Sequence, residues 1–260
     1  MTILKKYNTT LCRFVLFLTL AALFSCGPGK LYNNRIEGKK ISVSPDYKDD
    51  AQIDAFIAPY RNHINKDLDS VLAYSPVTFD KNEGKWQTAI GNLLADVTFE
   101  KADKLFYQRE KKHLDICLLN HGGIRAIIPQ GNVTSRTAYE VMPFENSLTI
   151  AALKGEQVKE IAQYMIEGKK PHPISGMEII IDSSNNIKSI SVQGSPVDDN
   201  KIYYVATSDY LYNGGDNMVF FKKATATYDM DYKLRNLFID YFKEVDTLPV
   251  ITSQRIIEQP

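Results

Sequence analysis

A short apolar run, Leu114–Leu119, feeds straight into the glycine pair Gly122-Gly123, and this junction constrains the fold more than any other feature of the chain. A run of that length suits a strand buried on both faces, and glycines let the loop that follows bring its backbone close to a ligand. Helical periods surround it. Ile90, Leu93, Leu94 and Val97 form an apolar stripe on a helix from Thr88, Val158, Ile161, Ala162, Met165 and Ile166 face inward along 156–167, and Leu234, Leu237, Phe238, Tyr241, Phe242 and Val245 give the strongest period. Thr134 can cap a brief helix ending before Pro143, and Ser147–Leu153 reads as a strand. Residues 177–181, 187–192 and 201–207 read as an antiparallel meander, with Arg255-Ile256-Ile257 as a closing strand. Upstream, Ile53, Phe56, Ile57, Tyr60 and Ile64 keep helical spacing, with Pro59 expected to bend or break that helix. The predicted class is α/β (α+β): one domain of layered mixed sheets flanked by helices, its loops gathered at strand ends where such folds bind ligands.

The first residues stand apart from this pattern. Lys5, Lys6 and Arg13 precede an apolar run from Phe14 to Phe24, too short to span a bilayer and of the length of a signal-peptide core. The run ends in Ala22-Leu23-Phe24-Ser25-Cys26, which resembles the lipobox of bacterial lipoproteins. The expected division is a signal peptide over 1–25, a lipidated Cys26 with a tether over 26–45, and a globular domain over 46–260. The expected location is the bacterial cell envelope, lipid-anchored at the periplasmic face or the outer membrane. Cleavage before Cys26 removes three positive charges and no negative ones, which leaves 28 Lys and Arg against 31 Asp and Glu. That balance excludes binding to long nucleic acid, whose affinity comes from neutralising many phosphates. No disulfide framework is expected, and Cys117, inside the apolar run, reads as a small buried hydrophobe.

Four stretches carry residue types suited to a small polar ligand: Asn120-His121-Gly122-Gly123-Ile124-Arg125, Pro143-Phe144-Glu145-Asn146, Tyr210, and Asn213-Gly214-Gly215-Asp216-Asn217. Arginine offers a rigid fork to phosphate or hydroxyl oxygens, and a carboxylate in a tight turn accepts the two protons of a vicinal diol. Phe144 and Tyr210 flank polar loops, and opposed rings make a sandwich for a flat heterocycle. Together the set describes nucleoside recognition.

At these residues the chain resembles the C-terminal, substrate-binding domain of the 5′-nucleotidases. The likeness covers nearly all of 85–258 and rests on Gly91-Asn92-Leu93-Leu94-Ala95-Asp96, the 120–125 stretch, Gly131-Asn132-Val133-Thr134, Met142-Pro143-Phe144 and the 213–216 turn, all in family order. The resemblance implies that Phe144 and Tyr210 sandwich a base, that Asn120 and Arg125 reach base, sugar or phosphate, and that Asp216 binds ribose hydroxyls. Gly122, Gly123, Asn146 and Gly215 complete the implied substrate-binding set. Two departures stand out. The family's second ring is usually Phe, so Tyr210 adds a hydroxyl expected to meet water or ligand. Arginines common before the Gly91-Asn92 segment give way to Gly84, Lys85 and Trp86, which implies a weaker phosphate grip.

In that family the chemistry belongs to a separate metallophosphatase domain with a dinuclear metal site. Here only His63, His113, His121 and His172 occur, none in a metal-ligand motif, so no catalytic residue, metal or other cofactor is assigned to this chain. Divalent metals are expected only in a partner metallophosphatase subunit. Three functions stay open: the nucleotide-binding domain of a split 5′-nucleotidase system in nucleotide catabolism or salvage, an independent nucleoside-binding envelope lipoprotein, and a self-sufficient hydrolase.

Overall fold

The computed structural model describes residues 2–23 and 32–259 of the chain, which divides into two compact units, 1–54 and 55–260. The first unit carries helix α1 (Thr2–Leu23), with Phe14, Leu16 and Phe17 exposed, and no helix among the described residues is long and apolar enough to cross a membrane. Cys26, the expected acylation site, lies outside the described residues.

Helix α2 (Ala51–Leu68) runs through Pro59 without a break, contrary to one of the outcomes read from the sequence. The carbonyl that Pro59 leaves without a partner belongs to Ala55, and both residues are exposed, so the missing bond faces water. No residue of α2 is buried: Phe56 and Tyr60 pack ring to ring at 6.0 Å in solvent, and Ile64 is also exposed.

The rest of the second unit runs β1 (Val71–Ser75), α3 (Ala89–Glu110), β2 (Ile116–Leu118), β3 (Gly131–Thr134), α4 (Ser135–Val141), β4 (Ser147–Lys154), α5 (Gly155–Gly168), β5 (Ile174–Ser175), β6 (Met177–Ile181), β7 (Ile187–Val192), β8 (Ser195–Pro196), β9 (Ile202–Ser208), α6 (Asp209–Tyr212), β10 (Ala226–Lys233), α7 (Leu234–Glu244) and β11 (Ile256–Glu258). Its centre is a five-stranded sheet in the order β10-β4-β9-β2-β5, in which β2 and β9 are parallel and the other pairs antiparallel. A four-stranded sheet, β11-β6-β7-β8, and the antiparallel pair β1–β3 complete the set. The α/β class holds. The meander is shorter than expected: β6 and β7 form its hairpin and β8 its end, whereas β9 leaves to pair with β4 and β2 in the central sheet.

The central sheet has a core on each face because alternate residues of a strand point to opposite sides. Cys117, Leu148, Ile150 and Ala206 pack with Leu93, Leu94 and Phe106 of α3 and Leu237 and Phe238 of α7. Ile116, Leu118, Ala151, Leu153 and Val205 face the other way, onto Val158, Ile161 and Met165 of α5 and Ile179 and Ile181 of β6. The Cys117 thiol is fully buried, and burial pushes it well above the usual thiol range, which leaves it inert.

Local chemistry fixes the helix starts. Thr88 accepts from the Gly91 N–H at 3.0 Å, and Thr134 caps α4 with a reciprocal contact from Thr137. The Gly91–Asp96 motif also has a structural role, since Asp96 receives Arg255 through two bonds of 3.0 and 2.8 Å and the Asn92 amide donates to the Ser253 carbonyl at 3.2 Å. Both contacts bind the C-terminal segment to α3.

Candidate functional site

Strand direction gathers the site. The C-terminal ends of β2 and β9 lie together because the two strands are parallel, and the N-terminal end of β4 joins them because β4 runs antiparallel to β9. At that edge β2 delivers Asn120 into a 3-10 turn, His121–Gly123, while Phe144–Asn146 lead into β4. From β9 the chain enters α6, capped by Ser208, which places Tyr210 just before the Gly214–Asn217 turn.

A pocket of about 300 Å³ opens there, lined by Asn120, Gly122, Gly123, Arg125, Phe144, Asn146, Tyr210 and Asp216. Eight residues singled out from the sequence therefore meet at one cavity. The ninth, Gly215, lies directly beneath a ring, where a Cβ would sit 2.5 Å from the Tyr210 ring atoms. Only a residue without a side chain lets the ring lie down on the turn. Gly123 serves similarly: a Cβ there would come within 2.7 Å of the Asn120 side-chain oxygen.

Phe144 and Tyr210 are 40% and 46% exposed, so each keeps a face available to a ligand. The Arg125 guanidinium stands 5.8 Å from the Phe144 ring centre and donates to the Gly122 carbonyl at 3.3 Å. Asp216 is the most heavily bonded residue of the set. Its carboxylate accepts from the Asn120 amide at 2.7 Å and from the Tyr210 hydroxyl at 3.0 Å. Its backbone N–H donates to the same hydroxyl at 3.3 Å, and its carbonyl accepts from the Tyr164 hydroxyl at 2.7 Å. The sequence led us to expect the Tyr210 hydroxyl on water or ligand, and the structure instead places it on Asp216.

Three supporting residues escaped the sequence reading. His172, 2% exposed, accepts the His121 backbone N–H through Nδ1 at 3.2 Å and so holds the first loop from behind. Burial pushes this imidazole down to about 4, which keeps it neutral and able to accept. Tyr164 of α5 packs its ring 5.5 Å from His172 while its hydroxyl holds the second loop. Arg235, at the start of α7 and 5% exposed, donates to the Phe144 carbonyl at 3.4 Å, pairs with Glu145 and stacks 4.1 Å over Tyr139. The one available signal was a charge directly after the first apolar residue of a strongly periodic helix.

His121 sits between burial and the nearby Lys81 and Lys170, which push its proton affinity below the ordinary value. Lys81 is fastened to the same loop, donating to the Ile124 carbonyl at 2.6 Å. Lys85, by contrast, is paired with Glu258 at β11, and the Trp86 indole donates to the same carboxylate at 2.6 Å. Among the described residues no group of three or more His, Cys, Asp or Glu side chains is gathered where a metal ion could sit.

A family model described as the C-terminal domain of 5′-nucleotidase matches residues 71–223, a span that contains every residue of the pocket. The trifunctional nucleotide phosphoesterase protein YfkN of Bacillus subtilis is 28% identical over 204 residues, 72% of this chain and 14% of its own length. Protein UshA of Yersinia enterocolitica is 28% identical over 113 residues, 42% of this chain and 20% of its own. Among solved structures, a 5′-nucleotidase precursor from Thermus thermophilus superposes with a TM-score of 0.67 and 25% identity, over 78% of this chain and 43% of that one. The chain thus spans less than half the length of each of these relatives.

Proposed function

The chain belongs to the family of 5′-nucleotidase C-terminal domains, and on that footing we propose that its pocket binds a nucleoside or nucleotide. The observation that carries this reading is the convergence of two half-exposed rings, an amide, a guanidinium and a carboxylate on one cavity from four separate stretches of chain. A heterocycle between Phe144 and Tyr210 gains stacking on both faces, worth roughly 1–3 kcal/mol per ring. Asp216 faces the sugar hydroxyls, and Asn120, Asn146 and Arg125 meet the remaining polar edges. With Lys85 engaged at β11, the phosphate grip rests on Arg125, so nucleosides bind nearly as well as their monophosphates.

We further propose that this binding serves a nucleotide-catabolising system whose metals reside in a separately encoded metallophosphatase subunit. The names of the relatives support it, being a nucleotide phosphoesterase and a 5′-nucleotidase more than half of whose length has no counterpart here. Purified mature chain with Mn²⁺, Co²⁺ or Zn²⁺ is expected to hydrolyse nucleoside monophosphates no faster than a protein-free control. Addition of such a subunit should raise its kcat/KM, because the pocket positions the substrate. Metal-dependent turnover by the pure single chain would overturn the split arrangement.

The lipid anchor at Cys26, with its envelope location, completes the reading and rests on the residues before that cysteine. Expressed with its own leader in a bacterium, the wild type should enter the detergent phase and Cys26→Ala should not. Equal partition of the two would remove the anchor.

A further inference from the structure

Asp216 adopts a left-handed backbone, φ 51° and ψ 24°, a region that costs most residues energy and that aspartate tolerates better than most, so contacts with its surroundings help to hold it there. The Tyr210 hydroxyl supplies much of that hold. One oxygen atom donates to the Asp216 carboxylate and accepts from the Asp216 backbone N–H, so the side chain and backbone of a single residue are tied to the same phenol. The ring of that phenol packs on the bare backbone of Gly215.

The bonding also fixes how many acceptor positions remain. A carboxylate offers about four lone-pair positions, two on each oxygen. Asn120 fills one on Oδ2 and Tyr210 fills one on Oδ1. One position per oxygen is left. Two acceptors separated by the width of a carboxylate match the two hydroxyls of a cis-diol, and a ligand with only one hydroxyl leaves one of them unused.

We propose that the Tyr210 hydroxyl is a positioning group that gives this pocket its preference for a vicinal diol, acting through Asp216 and separately from the stacking of its ring. The inference rests on the nucleoside reading of the same pocket. It assigns to one oxygen atom a role that the ring alone, as in phenylalanine, cannot fill.

The test is calorimetric titration of wild type and Tyr210→Phe with the four common ribonucleosides and their 2′,3′-dideoxy analogues. Tyr210→Phe keeps the ring, so affinity for the dideoxy analogues should stay within about twofold, whereas affinity for the ribonucleosides should fall about tenfold as the carboxylate loses its aim. A merely structural role would weaken both classes equally and leave their ratio unchanged. Tyr164→Phe, which releases only the Asp216 carbonyl, provides a second variant with the ring and hydroxyl of Tyr210 intact, and it should lower the same ratio less. If wild type prefers ribonucleosides and Tyr210→Phe keeps the full preference, the positioning role is wrong while the nucleoside reading stands. If wild type binds no nucleoside of either class, both fall together.

Discussion

The two walls of the pocket present similar rings on different supports. Tyr210 lies on the Gly215 backbone and is bonded through its hydroxyl to Asp216, whose carbonyl is held by a second phenol, Tyr164. Phe144 has no such anchor on its ring. Its backbone carbonyl is bound to Arg235, and the Arg125 guanidinium stands 5.8 Å from the ring centre, while the neighbouring Asn120 loop leans on a neutral imidazole, His172. One wall sets its ring on the Gly215 turn with its hydroxyl on the Asp216 carboxylate, and the other sets its ring beside a loop supported by a titratable group. Similar aromatic surface therefore serves a different purpose on each side.

The largest expected effect follows from that coupling. Tyr210→Ala removes a stacking face and the clamp on Asp216 together, and should cost about 3 kcal/mol of ribonucleoside affinity, more than a hundredfold. Phe144→Ala removes a stacking face alone and should cost about half as much. Equal losses in parallel calorimetric titrations would break the comparison.

A smaller effect separates the walls by pH. Burial holds folded His172 at about 4, below its ordinary value of 6.5, so the unfolded chain takes up this proton first as pH falls. Stability from this site is therefore complete above about pH 6.5, is lost on the way down to about 4, and should be lower by about 2 kcal/mol near pH 5. Protonation at Nδ1 also removes the acceptor for the His121 N–H, so the loop that carries Asn120 loses a support. His172→Asn retains an acceptor without a titration, and its denaturant-unfolding stability should show a flatter pH profile than wild type across that window. Parallel profiles would show that His172 does not bear this load.

The pocket residues were legible as a combination: taken alone Phe144 could be core and Asp216 a turn former, and it is the four stretches together, in family order, that point to one site. The elements were legible where one side faces a core, as in α7, whose Leu234, Leu237 and Phe238 are all buried. α2 has a comparable apolar spacing and buries nothing, since periodicity specifies a helix face without specifying what lies against it. The departure of β9 from the meander and the strand β10 depend on pairing with β4, a long-range partner that local pattern does not encode. His172, Tyr164 and Arg235 were missed for a related reason. Their roles arise from contacts 51, 52 and 91 residues away along the chain.

The central claim, a base held between Phe144 and Tyr210, is tested most directly by titrating wild type and the Phe144→Ala, Tyr210→Ala double mutant with adenosine, guanosine, cytidine and uridine, with circular dichroism confirming that both are folded. The account predicts saturable one-to-one binding of at least one nucleoside to wild type and its loss in the double mutant. Wild-type affinity retained by the folded double mutant would contradict it.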